Sequence, residues 1–385
     1  MAKKVKFNAL LTSILCIVVF CISFVATGYG YLYLKSQQEI SNIPVYTDGS
    51  ISFHFLELGN KYSGDCTYIK AGEIDILIDA GSKVSSISVI SSYINNYVTD
   101  NTLEYVIVTH AHEDHYAGFV GNDTTDSLFD LYKTEIIIDF ARTNQEGKDM
   151  YEDYISERNA EVQNGAKHYT ALDCVNSLNG AKPTYDLGNN ITMSILNQRY
   201  YTEDASTEND YSVCTLFTQG DRNFLFTGDL EEKGEASLAS LNKLPHCVLY
   251  KAGHHGSKTS SHNVLLNKIT PEIVCVCCCA GNYEYTVNSS SAENANLNNF
   301  PTQDFINRIA PHTDKVYVTT LGLPKYDSTL STEVKFRNDG FISMNGNIVV
   351  TSNPKEVIVN CSNNNKKLKE TDWFKENRTC PDSWK

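Results

Sequence analysis

The chain has 385 residues, of which 41% are hydrophobic and 20% charged, a balance typical of a folded globular protein rather than a disordered one. Its 32 lysine and arginine residues against 46 aspartate and glutamate residues give a formal net charge of −14. Because an acidic chain repels polyanions overall, this charge argues against a protein that covers nucleic acid or anionic lipid with a broad surface.

The N-terminal segment 1–38 combines a short basic stub with a long apolar run. After Lys3, Lys4 and Lys6 no charged residue occurs before Lys35. This uncharged stretch is long enough for a helix to cross a bilayer. We predict one transmembrane helix that leaves the lysines cytoplasmic and the rest of the chain extracellular or lumenal. A cleaved signal peptide with small residues near Ala26 is the alternative, and it also exports the chain.

From residue 51 onward, short β-rich runs alternate with helix-permissive stretches. Strands are predicted at 51–58, 66–70, 74–79, 104–109, 134–139, 191–196, 212–218, 223–227, 247–251, 272–279, 315–319 and 348–351. Helices are predicted at 84–98, 150–164, 231–241, 261–268 and 302–309. This alternation predicts an α/β fold with helices flanking sheets. We expect a linker at 39–50, one domain at 51–355 and a polar C-terminal tail at 356–385.

Ten of the twelve cysteines lie beyond the N-terminal segment. Four of them crowd into residues 275–279, and we interpret this run as a buried strand in which cysteine acts as a small hydrophobic residue. A thiolate metal cluster is the alternative, but adjacent strand residues point to opposite faces. Cys361 and Cys380 could pair if the domain is exported, and their pairing stays open.

The segment from Val106 to Gly118 contains the strongest chemical motif of the chain. A predicted apolar strand runs directly into His110 and His112, which project the same way, and Asp114 and His115 follow. Imidazole nitrogens and carboxylate oxygens are zinc ligands. This spacing offers two imidazoles to one metal ion, and a carboxylate with an imidazole to a second.

Two later segments would complete such a site. A predicted strand at 223–227 ends in Gly228-Asp229, and a carboxylate there can bridge two cations. Another strand, at 247–251, runs into His254 and His255. Each strand delivers its polar residues at its carboxyl end, where a sheet presents ligands to solvent.

The sequence His110-Ala111-His112-Glu113-Asp114-His115 matches the HxHxDH signature of the metallo-β-lactamase superfamily. Phe55–Gly59, Ile76–Gly81, Phe224–Asp229 and His254–Ser257 resemble, in order, the hydrolase domain of the bacterial DNA-uptake competence proteins. The resemblance spans roughly residues 52–351. It implies a four-layer αββα sandwich with the metal site at one edge of the sheets, preceded here by the N-terminal helix, and it implies hydrolysis.

The resemblance also implies a ligand set for two zinc ions, with manganese as an alternative metal. In this set His110 and His112 hold one ion, Asp114 and His115 hold the other, and Asp229 bridges both. Similarity to a surface esterase that removes phosphorylcholine from teichoic acid assigns His255 as a further ligand and His254 as the residue that faces the substrate phosphate. Asp79 is expected to orient ligands from the second shell. Asp114 and His254 are the expected catalytic residues, and Ser257 and Lys258 the expected substrate-binding ones.

The segment before the bridging aspartate differs from that of many superfamily members, which have a further histidine there. Residues 209–213 contain no histidine. The competence-type branch has an Asn-x-x-Ser sequence there, and Asn209 and Ser212 match it. We therefore expect an open coordination position on the first ion, where a phosphate oxygen could bind.

The sequence thus predicts a membrane-anchored, extracytoplasmic dinuclear zinc hydrolase, a phosphodiesterase in which a metal-bridging hydroxide attacks the ester. The expected substrate is a phosphate ester, either a polymer or a small molecule. Nucleic acid is expected only as a substrate, and no obligate protein partner is predicted. One alternative is hydrolysis of a lactam, lactone or thioester, and another is a non-catalytic binding module on the same fold.

Overall fold

The computed structural model describes residues 49–281, 299–330 and 335–385 of the chain. The predicted transmembrane segment and nearly all of the predicted linker lie outside these ranges. Among the helices within them, none is both long enough and apolar enough to cross a bilayer.

The described residues form sixteen strands. In chain order they are β1 (Ile51–Phe55), β2 (Thr67–Ala71), β3 (Ile74–Ile78), β4 (Thr102–Ile107), β5 (Lys133–Asp139), β6 (Lys167–Thr170), β7 (Thr184–Asp186), β8 (Ile191–Leu196), β9 (Cys214–Gln219), β10 (Arg222–Phe226), β11 (Leu249–Lys251), β12 (Ile273–Ala280), β13 (Val316–Tyr326), β14 (Phe336–Ser343), β15 (Ile348–Ser352) and β16 (Val357–Cys361).

These strands build two eight-stranded sheets. The first has the order β16-β15-β1-β2-β3-β4-β5-β6, and the second has the order β14-β13-β12-β11-β10-β9-β8-β7. Strands β3 to β6 are mutually parallel in the first sheet, and strands β10 to β13 are parallel in the second. Each sheet therefore gathers the carboxyl ends of several strands at one edge, where side chains from successive strands meet.

The two sheets pack face to face through aromatic side chains. The ring of Phe53 on β1 lies 4.6 Å from that of Phe224 and 5.6 Å from those of Phe217 and Phe226, all on the second sheet. All four phenylalanines are almost fully buried. Burying each such ring stabilises the fold by roughly 1.5–3 kcal/mol, so this cluster contributes strongly to holding the sheets together.

Helices cover the outer face of each sheet. In chain order they are α1 (Ser86–Ile94), α2 (Glu113–Tyr116), α3 (Leu128–Leu131), α4 (Asp149–Gln163), α5 (Ala171–Asn176), α6 (Glu232–Leu241), α7 (Asn263–Ile269), α8 (Gln303–Ile309) and α9 (Asp372–Asn377). Apolar residues of α1, α3, α4 and α5 join the core of the first sheet, and those of α6, α7, α8 and α9 form a second core against the other sheet. The result is the αββα sandwich that the sequence predicted.

Strand β12 shows why its cysteines belong to the core. All eight of its residues are buried. Cys275 and Cys277 face the core between the sheets, whereas Val274 and Val276 face the helices, as the two-residue period of a strand requires. The buried-strand interpretation is confirmed. Cys361 and Cys380 are both free thiols in the structure.

All twelve predicted strands and all five predicted helices are present, with shifted ends. The stretch 356–385, predicted to be a polar C-terminal tail, packs against the rest of the domain. Strand β16 pairs with β15 along its whole length, and Phe374 and Trp384 are buried in the core beneath the second sheet. The apolar residues of this stretch are few but widely spaced, so its polar composition concealed two anchoring side chains.

Candidate metal centre

The loop after β4 presents the first group of candidate ligands. The strand continues for one further residue, because the Val108 N–H donates to the carbonyl of Ile138 on β5. The chain then turns into the short helix α2, which places Asp114 and His115 beside His110 and His112. His110 and His115 are fully buried, and His110 Nε2 lies 3.0 Å from His112 Nδ1.

Asp79, at the end of β3, fixes this loop from below. Its carboxylate accepts hydrogen bonds from the backbone N–H of Thr109 at 2.8 Å and from the Thr109 hydroxyl at 2.9 Å. Its Oδ2 also lies 2.8 Å from His115 Nδ1. This contact turns the opposite nitrogen, Nε2, toward the interior of the site, so Asp79 lies where a ligand-orienting carboxylate is needed.

Strand β10 supplies Asp229 through a tight turn at Gly228. The backbone φ of Gly228 is +52°, and a Cβ atom there would lie 2.8 Å from Ser212 Oγ and 2.9 Å from Thr109 Cβ. Only glycine fits this approach without a shift. The Asp229 N–H donates to Ser212 Oγ at 3.0 Å, and this hydroxyl is also 3.5 Å from His110 Nδ1.

Strand β11 ends in the second histidine group. His254 and His255 both adopt left-handed backbone conformations, with φ of +46° and +52°. Such conformations are uncommon for residues other than glycine and concentrate at functional sites. His255 Nδ1 lies 2.9 Å from the carbonyl of Cys277 on β12, and this contact points its Nε2 into the site.

These segments converge on Asp229. Its Oδ2 lies 3.2 Å from His115 Nε2, 3.4 Å from His255 Nε2 and 3.9 Å from His254 Nε2. Asp114 Oδ2 lies 3.1 Å from His255 Nε2 and 4.0 Å from His115 Nε2. Two sets of side chains have ligand atoms close enough together to hold one metal ion. The first set is His110, His115 and Asp229, and the second is Asp114, His115 and His255. His112 joins the first group through its contact with His110.

A buried ion pair that the sequence did not reveal borders the site. Asp65, just before β2, contacts the ammonium of Lys251 at the end of β11, and its other oxygen lies 3.2 Å from His255 Nδ1. Both side chains are almost fully buried. Asp65 also belongs to candidate metal groups with Asp229 and His255, and with Asp79 and His115. The Gly64-Asp65 sequence was its only local signal.

Glu208 was also missed, although it is next to Asn209. Its buried carboxylate accepts hydrogen bonds from the N–H of Ala111 at 3.0 Å, from the N–H of Asn144 at 2.7 Å and from the Thr143 hydroxyl at 3.0 Å. Ala111 lies between His110 and His112. Glu208 therefore joins the histidine loop to the loop 141–148, which precedes α4.

Burial and neighbouring charges shift the pKa values of the site residues in opposite directions. Burial lowers the pKa of His110 and of His112. Burial alone would lower the pKa of His255 too, but Asp229 and Asp65 raise it to about 10. In Asp229 the opposite happens: burial would raise its pKa, yet His115 and His255 hold it well below the usual range. The neighbouring histidines therefore favour the ionised form of Asp229.

The centre opens into a cavity of about 720 Å³. Its wall on the candidate ligand side includes His112, Asp114, Asp229 and His254, and its other wall includes Gln145, Lys148, Asp149 and Met150. Neither Ser257 nor Lys258 lines it. Ser257 is 5% exposed and its hydroxyl contacts that of Thr259, whereas the Lys258 side chain is exposed. The structure thus brings all the predicted metal-site residues together and leaves these two predicted substrate contacts outside the cavity.

Residues 59–121 match the sequence model of the Metallo-beta-lactamase superfamily, and this segment includes the histidine loop. This segment, together with the αββα sandwich, resembles the metallo-β-lactamase superfamily of metal-dependent hydrolases. The chain also resembles the competence proteins. It is 37% identical to Competence protein ComA of Neisseria gonorrhoeae over 116 residues, which are 30% of this chain and 15% of that protein.

Two further similarities were found. Recombination protein 2 of Haemophilus influenzae is 36% identical over 70 residues, which are 18% of this chain and 8% of that protein. This chain therefore matches only a small part of the length of these two curated relatives. Among solved structures, the metallo-beta-lactamase fold protein YhfI of Bacillus subtilis superposes with a TM-score of 0.34 at 13% identity, over 53% of this chain and 70% of that chain.

The fold implies divalent metal ions, and the residues present fit them. Asp229 Oδ1 is buried and has no hydrogen-bond partner among the described residues. A buried, unpaired carboxylate oxygen is costly unless a cation satisfies it. The surrounding donors are imidazole nitrogens and carboxylate oxygens, and the outer nitrogens of His115 and His255 are held by Asp79 and a backbone carbonyl.

Proposed function

We propose that this protein is a membrane-anchored, extracytoplasmic dinuclear zinc hydrolase that cleaves phosphodiesters. The observation that carries the proposal is the position of Asp229. Its Oδ2 faces both His115 and His255, while its Oδ1 is buried without a hydrogen-bond partner among the described residues. A carboxylate so placed has one oxygen available for each of two cations, which suits it to bridge them.

The remaining donors divide between the two positions. We assign His110 and His112 to one zinc ion, and Asp114, His115 and His255 to the other. His255 is almost fully buried and its Nδ1 is engaged, which suits a ligand, whereas His254 is partly exposed and lines the cavity. When bound, such ions supply Lewis-acid activation of water and of the phosphoryl oxygens at neutral pH.

We assign to His254 a direct role toward the substrate. Its Nδ1 lies 2.9 Å from the hydroxyl of Thr259, so the ring is held in place while its Nε2 side faces Asp229 and the cavity. Burial lowers the pKa of His254, and two acidic neighbours, Asp229 and Glu231, oppose that shift. From this position the neutral ring can orient a phosphate oxygen and stabilise the departing alkoxide by a hydrogen bond.

The anchor and the extracytoplasmic location are part of the same proposal and depend on residues 1–38. Membranes from cells that express the full chain, extracted with alkaline carbonate, should retain the protein in the pellet. A chain that starts at residue 39 should be released. Release of both forms would remove the anchor from the proposal and leave the chemistry unaffected.

The chemistry is tested with the full chain in detergent, with its metal content measured. The substrates are bis-p-nitrophenyl phosphate, a chromogenic cephalosporin, an acyl lactone and a thioester. We expect turnover of the phosphodiester, and a loss of kcat/KM of at least about a hundredfold in Asp229→Asn, with bound metal reduced. Asp221→Asn changes an exposed aspartate on the preceding turn and serves as the control.

The same assay separates the alternatives. Preferential turnover of the lactam, lactone or thioester would replace the phosphodiesterase assignment with the second hydrolase hypothesis. A protein that is fully loaded with metal and turns over none of the substrates would favour the non-catalytic binding module. Equal rates for wild type and Asp229→Asn would contradict the bridging assignment.

A further inference from the structure

The cavity beside the metal centre is acidic on its ligand side. Asp114 and Asp229 lie in the wall formed by the candidate ligands, and Glu113 lies close to them. Glu113 is paired with Lys83 at 3.1 Å. An anionic substrate that enters this cavity therefore needs positive charge from the opposite wall as well as from the metal ions.

Lys148 is the only lysine or arginine among the described residues that line the cavity. It lies immediately before α4 and lines the same cavity as His112 and His254. Its ammonium donates to the side-chain oxygen of Gln145, which is a neutral partner. Lys148 forms no ion pair with any described residue, although Asp149, the next residue in the chain, also lines the cavity.

The loop that holds Lys148 is fastened to the metal centre. Gln145 is 8% exposed, and its N–H donates to the Thr143 hydroxyl at 3.0 Å. That hydroxyl donates in turn to the buried carboxylate of Glu208, which also accepts from Ala111 in the histidine loop. A path of four hydrogen bonds, through Gln145, Thr143 and Glu208, therefore connects the exposed Lys148 side chain to the histidine loop.

We propose that Lys148 binds the negatively charged phosphate of the substrate, and that it selects anionic phosphate esters over neutral esters and lactams. This inference rests on the proposed function and adds to it a residue that determines specificity. It differs from the assignment based on sequence, which gave the role to Lys258. A bound phosphate would receive a charge-assisted hydrogen bond from Lys148 while Gln145 keeps the ammonium directed into the cavity.

The test compares Lys148→Met with wild type in the full-length, metal-loaded protein. The readouts are KM and kcat for ethyl p-nitrophenyl phosphate, which bears one negative charge, the dissociation constant of inorganic phosphate by calorimetry, and the metal content. We expect KM and the phosphate dissociation constant each to rise about tenfold, as the loss of one charge-assisted hydrogen bond predicts, with kcat less affected and metal content unchanged. Lys148→Arg should retain most of the binding.

Two further variants make the result specific. Lys133→Met changes an exposed lysine at the start of β5, outside the cavity, and should behave as wild type. Lys258→Met tests the competing assignment. If Lys258→Met weakens phosphate binding and Lys148→Met does not, or if Lys148→Met equals Lys133→Met, the inference is overturned.

Failure of the proposed function would look different. A wild-type protein that holds metal but hydrolyses no phosphodiester would refute the phosphodiesterase assignment. Phosphate calorimetry would still decide the role of Lys148 in that case, because it needs no turnover. Tenfold weaker phosphate binding in Lys148→Met would support the anion site, and unchanged binding would reject it.

Discussion

Glu208 and Ala111 are 97 residues apart in the chain and are joined by a 3.0 Å hydrogen bond from the Ala111 N–H to the Glu208 carboxylate. The bond places a buried acid directly behind the two histidines of the HxH sequence. The same carboxylate holds Thr143 and Asn144, so one side chain fixes both the ligand loop and the loop on the far side of the cavity.

Removing this carboxylate should damage both stability and metal binding. In Glu208→Ala, two backbone N–H groups and a hydroxyl lose their buried acceptor, which should destabilise the protein by about 2–4 kcal/mol. Zinc affinity should fall about 10- to 100-fold, because the histidines lose their support. Urea unfolding and metal titration measure the two effects. Glu203→Ala, at an exposed ion pair with Arg199, is the control, and a Glu208→Ala protein that matches it would disprove the role.

Gly228→Ala should show how closely β10 must approach β4. A Cβ atom would collide with Thr109 and Ser212 in addition to straining the positive φ, so we expect a loss of about 1–3 kcal/mol together with weaker metal binding. Gly147→Ala separates the two causes, because its φ is +80° but nothing lies within 4 Å of the new Cβ. It should show the backbone strain alone. Equal losses in the two variants would mean that the close approach at Gly228 is unimportant.

His54 should make the stability of the domain depend on pH. Burial lowers the pKa of His54 to about 3, and the neutral ring lies 2.8 Å from both Ser52 Oγ and the Tyr93 hydroxyl. The unfolded chain protonates this histidine near 6.5, so between pH 6.5 and 3 the unfolded state binds more protons than the folded state. The contribution is present above pH 6.5 and is lost as pH falls, by at most about 1.4 kcal/mol per pH unit.

The measurement is urea unfolding of the metal-loaded protein from pH 7 to pH 5, for wild type and His54→Gln. The variant should be less stable at pH 7 because it loses the ring contacts of His54 with Tyr68, Tyr93 and Tyr97, but its stability should fall less steeply with acidification. Parallel curves for the two proteins would assign the pH dependence to other groups.

Chelation of the metal should lower thermal stability. Ions that bind only the folded state at a concentration 100 times their dissociation constant contribute about 2.7 kcal/mol. For a domain of about 300 residues, that corresponds to a decrease in Tm of roughly 4 °C for each ion on treatment with EDTA, reversed by zinc. The reversal should be smaller in Asp229→Asn. A Tm that does not respond to EDTA in the wild-type protein would count against a metal centre.

The fold and the ligand loop were predictable because their signals are local. A buried strand that runs into His110, Ala111 and His112 is recognisable in seven consecutive residues. The strands at 223–227 and 247–251 likewise lead directly to Asp229 and His255. Strands β6, β7, β14 and β16, which are the edge strands of the two sheets, were missed. The first two have only four and three residues, and β14 is largely polar.

The missed residues of the site share a different property. Glu208, Lys148 and the Asp65–Lys251 pair acquire their roles from contacts between segments far apart in the chain, and no periodicity or spacing marks them. Lys258 was assigned to substrate binding because it closely follows His254 and His255 in the sequence. The left-handed turn at His254 and His255 redirects the chain, so sequence proximity to the ligands did not become proximity to the cavity.

The position of β1 in the first sheet determines when that sheet can be completed during synthesis of the chain. Strand β1 lies between β2 and β15, whose paired residues are almost 300 positions later in the sequence. A nascent polypeptide emerging from the ribosome can form β2 to β6 early, but one flank of β1 has no neighbour until residues 348–352 have been translated. The backbone edge of β1 stays unpaired for that interval, so the hairpin of β15 and β16, made last, completes the sheet, and the incomplete chain exposes an edge that is prone to aggregation.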